Sequence, residues 1–202
     1  MKQQATTSPA RPPPWARLSV PTGNGIQIAG MTLGAALLYT AGESTNLGAG
    51  RIPLMIAGFL AVYCCCHAIA HWAVGRLVGI RFRGYGVRST DHPQDYPAGV
   101  RQLMSILPTF TAMTDKDSMR AASPIARALM FCAGETSTAV CSILAAYYAL
   151  RAGIPGGHGL FYAMIAFNAL STVVTAIVPR GDYAKARRAL QRTTQPAPAQ
   201  AH

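Results

Sequence analysis

The sequence predicts an all-α integral membrane protein with about four transmembrane helices and a small strand and amphipathic-helix element in its central loop. Two observations carry this. First, four apolar stretches, at approximately 26–42, 52–75, 125–150 and 159–178, hold almost no charge, with Arg127 and Glu135 in the third as the exceptions. A helix crossing roughly 30 Å of hydrocarbon needs roughly 20 mostly apolar residues, and the last three stretches reach that length. The first is short, and Asn46–Gly50 adds a little to it.

Second, the charge is lopsided. Lys2, Arg11 and Arg17 precede the first stretch, a basic block from Arg76 to Arg127 lies between the second and third, and Arg180, Lys185, Arg187, Arg188 and Arg192 follow the fourth. In an alternating four-span arrangement only Arg51 and Arg151, of 18 Lys and Arg, fall on the other side. Basic residues concentrate in cytoplasmic loops, so both termini and the central loop are expected in the cytoplasm, with the chain in a plasma (inner) membrane. The net charge of +11 then reflects topology and the bilayer as partner, and no nucleic acid.

Residues 1–25 are polar and proline-rich (RPPPW, then PTGNG), with no apolar core ahead of a cleavage site. They read as a disordered cytoplasmic N-terminus rather than a signal peptide. Residues 191–202, ending in TTQPAPAQAH, read as a disordered tail, which leaves 26–190 as one membrane domain. In the first stretch Gly30-x-x-x-Gly34 permits close helix approach. The loop 80–123 is too long for a turn. Within it, IRFRGYGV alternates Ile80, Phe82 and Gly84 against Arg81, Arg83 and Tyr85, which suggests a short strand. Val100, Leu103, Met104 and Leu107 recur at helical spacing up to Pro108, as in an amphipathic helix on a membrane surface. Ser123 and Pro124 are suited to cap and open the third helix. All five cysteines fall inside apolar stretches, which argues against a disulfide framework. There is no internal repeat.

The chemistry concentrates in CCCHAIAHWAVGRLVG, residues 64–79. His67 and His71 stand four apart, so they project from one helix face and their imidazoles can share one small ion. They cannot take opposite axial positions on a haem, and no other histidine lies within a span: His92 is in the loop, His158 at the opposite membrane face and His202 in the tail. Ionisable residues in membrane spans are costly and usually functional. A zinc site needs a third protein ligand. Asp182 stands at a compatible depth after the fourth stretch, and Cys64, one turn before His67, competes with it.

HAIAHWAVGRLVGIRF resembles the helix of the site-2 proteases, intramembrane zinc metallopeptidases with His-Glu-x-x-His. AGETST, residues 133–138, stands where that family has Ala-Gly-Pro-x-x-Asn, and Asn168 through Asp182 is similar to its last core helix, which runs through Pro to Asp-Gly. The resemblance covers roughly residues 52–190. It implies a site-2-protease-like core of membrane helices, with His67, His71 and Asp182 as zinc ligands.

The departures matter as much. Ala68 stands at the position of the missing general base, Glu135 in place of Pro, Thr138 in place of Asn and Tyr183 in place of the Gly after the aspartate. Several changes together point to natural divergence rather than one engineered exchange. Losing a positioned proton carrier removes about 10²–10⁴-fold in rate. Glu135 is the one spare intramembrane acid and hence a weak substitute base; otherwise its carboxyl is expected to bond to Thr136, Ser137 or Thr138. The expectation is a catalytically impaired metalloprotein that binds zinc and transmembrane helices of other proteins in a regulatory role. Its rivals are an active or engineered-inactive zinc endopeptidase and a structural subunit of a larger membrane complex.

Overall fold

The structure, a computed structural model, describes residues 14–89, 100–106 and 108–191. In chain order the elements are β1 (Ala16–Leu18), α1 (Val20–Glu43), a 3-10 segment (Thr45–Gly50), α2 (Arg51–Leu77), β2 (Phe82–Arg88), α3 (Val100–Ile106), β3 (Thr109–Thr114), α4 (Lys116–Ala121), α5 (Pro124–Arg151), α6 (Gly157–Ile177) and α7 (Asp182–Gln191). The chain is mostly helical, and α1, α2, α5 and α6 are each long and apolar enough to cross a membrane.

The first helix starts at Val20 rather than at residue 26, which corrects the reading of residues 14–25 as disordered. Ser19 caps it by accepting the Thr22 amide at 3.2 Å, and Pro21 occupies its first turn. The glycines of PTGNG are therefore helical, and Gly23 lies against the ring of Tyr85 with no room for a Cβ. Ala16–Leu18 pairs as an edge strand. Residues 1–13 lie outside the described residues, as do residues 192–202 of the expected tail. The third helix begins as expected, with Ser123 accepting the Ala126 amide at 3.1 Å and Pro124 at its start.

The central loop holds more than one strand. β1, β2 and β3 form an antiparallel sheet in that order, with Arg17 opposite Gly86 and Tyr85 opposite Ala112. The register is irregular between Phe82 and Gly84, where Gly84 takes φ 146. That irregularity breaks the simple alternation: Tyr85 is buried although it alternates in phase with exposed Arg83. The Tyr85 hydroxyl donates to Asn24 of α1, and burial pushes its phenol up to about 12. Asp115 caps α4 and accepts two bonds from Arg83. The α3 helix coincides with the expected amphipathic segment, but Leu107 and the side chains of Val100, Leu103 and Met104 lie outside the described residues.

Helices α1 and α2 approach closely at Gly34 and Gly58. A Cβ on either would sit 2.7 Å from the other's carbonyl oxygen, so only glycine fits there. Gly30 meets Cys65 one turn away. Helix α5 packs on the other side of α2, and α6 is tied to α5 by Asn168, whose amide donates to Ser142 at 2.9 Å. A core of Leu38, Met55, Phe59, Val62 and Ile154 fills the end of the bundle far from the sheet.

At that end Arg51 is buried. It donates to the carbonyls of Ala41 at 2.5 Å, Gly42 at 3.0 Å, Ala152 at 3.0 Å and Gly153 at 3.3 Å. The first two lie in the last turn of α1 and the other two just past the end of α5, so the guanidinium sits at the negative ends of both helices. One of the two misplaced basic residues is therefore an internal staple. At the opposite end stand the sheet, α4 and α7, with Arg17, Arg81, Arg83, Arg88, Lys116, Arg120, Lys185, Arg187 and Arg188.

Candidate metal centre

Helix α2 presents His67 and His71 on one face, with ring centroids 4.8 Å apart. The turn after α6 returns the chain, and α7 begins with Asp182 at the same depth. Its carboxylate Oδ2 stands 3.2 Å from His71 Nε2 and 3.5 Å from His67 Nε2, and the two Nε2 atoms are 3.2 Å apart. Helix α7 is held there by Ala186 and Ala189, which pack on Ala128 of α5. Of the two candidates for third ligand, Asp182 joins the histidines; Cys64 is not part of this group. Antiparallel depth decides it, since α7 folds back onto the sheet-side half of α2 and α5. His158 sits at the start of α6, and His92 and His202 lie outside the described residues.

Helix α5 sets the tautomers. His71 Nδ1 lies 2.6 Å from the carbonyl oxygen of Met130, which can only accept, so Nδ1 carries the proton. His67 Nδ1 lies 3.0 Å from the Thr138 hydroxyl, which itself donates to the Gly134 carbonyl at 3.0 Å. Thr138 therefore accepts from His67 Nδ1–H. In both neutral rings the remaining nitrogen, Nε2, is a bare lone pair. Two lone pairs and a carboxylate oxygen converge on one point, which is repulsive without a cation among them.

A proton on one imidazole would satisfy one edge of that triangle; a metal ion satisfies all three. Bonds of about 2.0–2.2 Å in tetrahedral array place donors about 3.3–3.6 Å apart, while an octahedral face would bring them to about 2.8–3.1 Å. The observed 3.2, 3.2 and 3.5 Å fit the tetrahedral array better. His67 keeps 34% of its side chain accessible, so the centre opens on its side, while His71 and Asp182 are 11% and 14% accessible.

Burial opposes ionisation of Asp182, and the Lys185 ammonium beside it favours the charged form. Lys185 donates to Oδ1 at 2.7 Å, which leaves Oδ2 turned to the histidines. Sequence reading missed Lys185, although its position three residues after Asp182 on a helix was the available signal. It also missed Met130 and Gly134, which act through backbone atoms. A Cβ on Gly134 would collide with the His71 imidazole.

Ala68, the position of the missing base, is buried, with 1% of its surface accessible. Thr138 is buried and acts on His67 as described. Glu135 is half-buried and within electrostatic range of His67, Asp182, His71 and Lys185. The expected bonds from its neighbours to its carboxyl are not formed. Thr136 bonds to the Tyr183 hydroxyl, Ser137 to the Cys66 carbonyl and Thr138 to Gly134. The chain matches no protein-family model, no curated protein and no solved structure. A group of two histidines and an aspartate that could hold a metal ion is what the fold itself assembles.

Proposed function

We propose that this chain is a multi-pass membrane protein with a site-2-protease-like core that holds zinc through His67, His71 and Asp182, cleaves peptides poorly, and serves by binding other transmembrane helices. The observation that carries the proposal is the convergence of two bare imidazole nitrogens and a carboxylate at tetrahedral spacing, on helices apolar enough to lie in a bilayer. Segregation of the basic side chains to the sheet end supports a cytoplasmic placement of that end and of both termini.

Zinc at such a site polarises a carbonyl and acidifies a water. The chain's own residues shape the surroundings. Met130 and Thr138 fix the rings, Lys185 orients Asp182, and His67 is the most accessible of the three. Ala68 has no atom that takes up a proton. Its burial also leaves no room for a longer side chain without repacking. Helix α6 offers an apolar face, including Tyr162, Leu170, Val173 and Ile177, that the other described residues leave uncovered, which suits lipid or a partner helix.

Metal analysis of the purified full chain after zinc addition tests the proposal. About one zinc per chain is expected, lost in His67→Ala and His71→Ala and weakened in Asp182→Ala, with Cys64→Ala unaffected. A chain that retains no transition metal would sink it. Retention of metal in Asp182→Ala but not in Cys64→Ala would reassign the third ligand.

A further inference from the structure

We infer that Glu135 supplies a fourth ligand to the metal of the His67–His71–Asp182 centre and so closes its coordination shell to water. The inference rests on the reading that this centre holds a metal, and explains what the open position beside His67 is for.

Position comes first. On α5, Gly134 touches the His71 ring and Thr138 bonds to His67, so Glu135 stands beside one contact and one turn from the other. Phe131, four residues earlier on the same face, lies under the Lys185 ammonium, 5.8 Å from its ring centre. Lys185 in turn bonds to Asp182. Glu135 thus occupies the stretch of α5 between the residue that meets the aspartate's partner and the residue that holds His67. Its carboxylate is within electrostatic range of all three ligands but outside the group of donor atoms that already converge, and His67, the most accessible of the three, marks the side that a fourth donor would enter.

Partnering comes second. A half-buried carboxylate in an apolar helix is costly unless paired. Among the described residues Glu135 has no hydrogen-bond donor, because the three hydroxyls that follow it are committed elsewhere. The side-chain torsions of Glu let its carboxylate swing along this face without backbone movement.

Charge comes third. A divalent ion held by Asp182 alone, with Lys185 alongside, leaves excess positive charge among apolar helices. A second carboxylate reduces it, and oxygen from Glu is an ordinary zinc donor. The substitution pattern is then coherent: one carboxylate is absent at Ala68, where it would act on water, and one is present at Glu135, where it excludes water.

Cobalt(II) titration of the full chain in detergent, followed by visible absorption, tests this without any activity assay. Wild-type cobalt protein should show the intense bands of a four-coordinate site, and azide should leave them unchanged. Glu135→Gln should bind cobalt at least about tenfold more weakly, and its spectrum should shift when azide is added. If azide shifts the wild-type spectrum, or if Glu135→Gln matches wild type in affinity and bands, Glu135 is not a ligand although the three-residue centre stands. If no chain binds cobalt, the centre itself is misread and this inference falls with it.

Discussion

The His71 imidazole donates from Nδ1 to the carbonyl oxygen of Met130, 2.6 Å away on the neighbouring helix. In an α-helix that same carbonyl accepts the amide of Gly134, so ring and helix share one acceptor. The approach requires Gly134 to lack a side chain.

This relationship predicts that Gly134→Ala impairs metal binding without removing any ligand. Displacing the ring should weaken zinc by at least the factor of about 10–100 seen for lost outer partners of metal ligands. Thr138→Val should fall in the same range, because His67 then lacks its Nδ1 acceptor. Isothermal titration of zinc into each purified variant checks both. Wild-type affinity in Gly134→Ala would contradict the packing at His71.

Arg51 should prove structural. Its guanidinium satisfies four carbonyls at two helix ends, and a hydrogen bond to a charged group contributes about 1.5–3 kcal/mol net. Arg51→Met should therefore destabilise the fold by about 3 kcal/mol or more. Arg51→Lys should recover only part of this, since one ammonium cannot span the fork. Thermal melts in detergent measure the order wild type, Lys, Met.

The ends of the bundle should lie on opposite sides of a membrane. Single cysteines placed at Ser19, Asp115 and Leu190, in a chain whose native cysteines are replaced, should react only with reagents that enter the cytoplasm. A cysteine at exposed Leu47 should react from outside. Labelling of residue 115 from outside would overturn the proposed orientation.

Peptide cleavage should be absent or very slow, because a proton released at the centre has no acceptor at Ala68 and the three ligands are occupied by the ion. Ala68→Glu should not restore cleavage, since position 68 is buried and overpacking costs about 1–3 kcal/mol. Membrane substrates incubated with either chain should stay intact. Chelator-sensitive cleavage by the unmodified chain would remove the impaired reading, and cleavage by Ala68→Glu alone would reduce the divergence to one missing base.

Composition and periodicity were sufficient for the helices and for the face on which His67 and His71 stand. Apolar runs of spanning length have few other stable solutions, and residues four apart on a helix share a face whatever surrounds them. Ser123 and Pro124 were legible for the same reason, as capping is local. Three things were not legible. Residues 16–25 read as disordered because Gly and Pro favour loops, yet Gly23 is there to let Tyr85 approach. Arg51 read as a topological exception, because its four acceptors come from segments up to 102 residues away. Residue chemistry alone left Cys64 beside Asp182, which only the resemblance favoured; the convergence of Asp182 with the histidines, and the tautomers set by Met130 and Thr138, depended on how α5 and α7 pack beside α2. Local residue identity determines which groups are able to bind a metal; only long-range packing brings their lone pairs to one point.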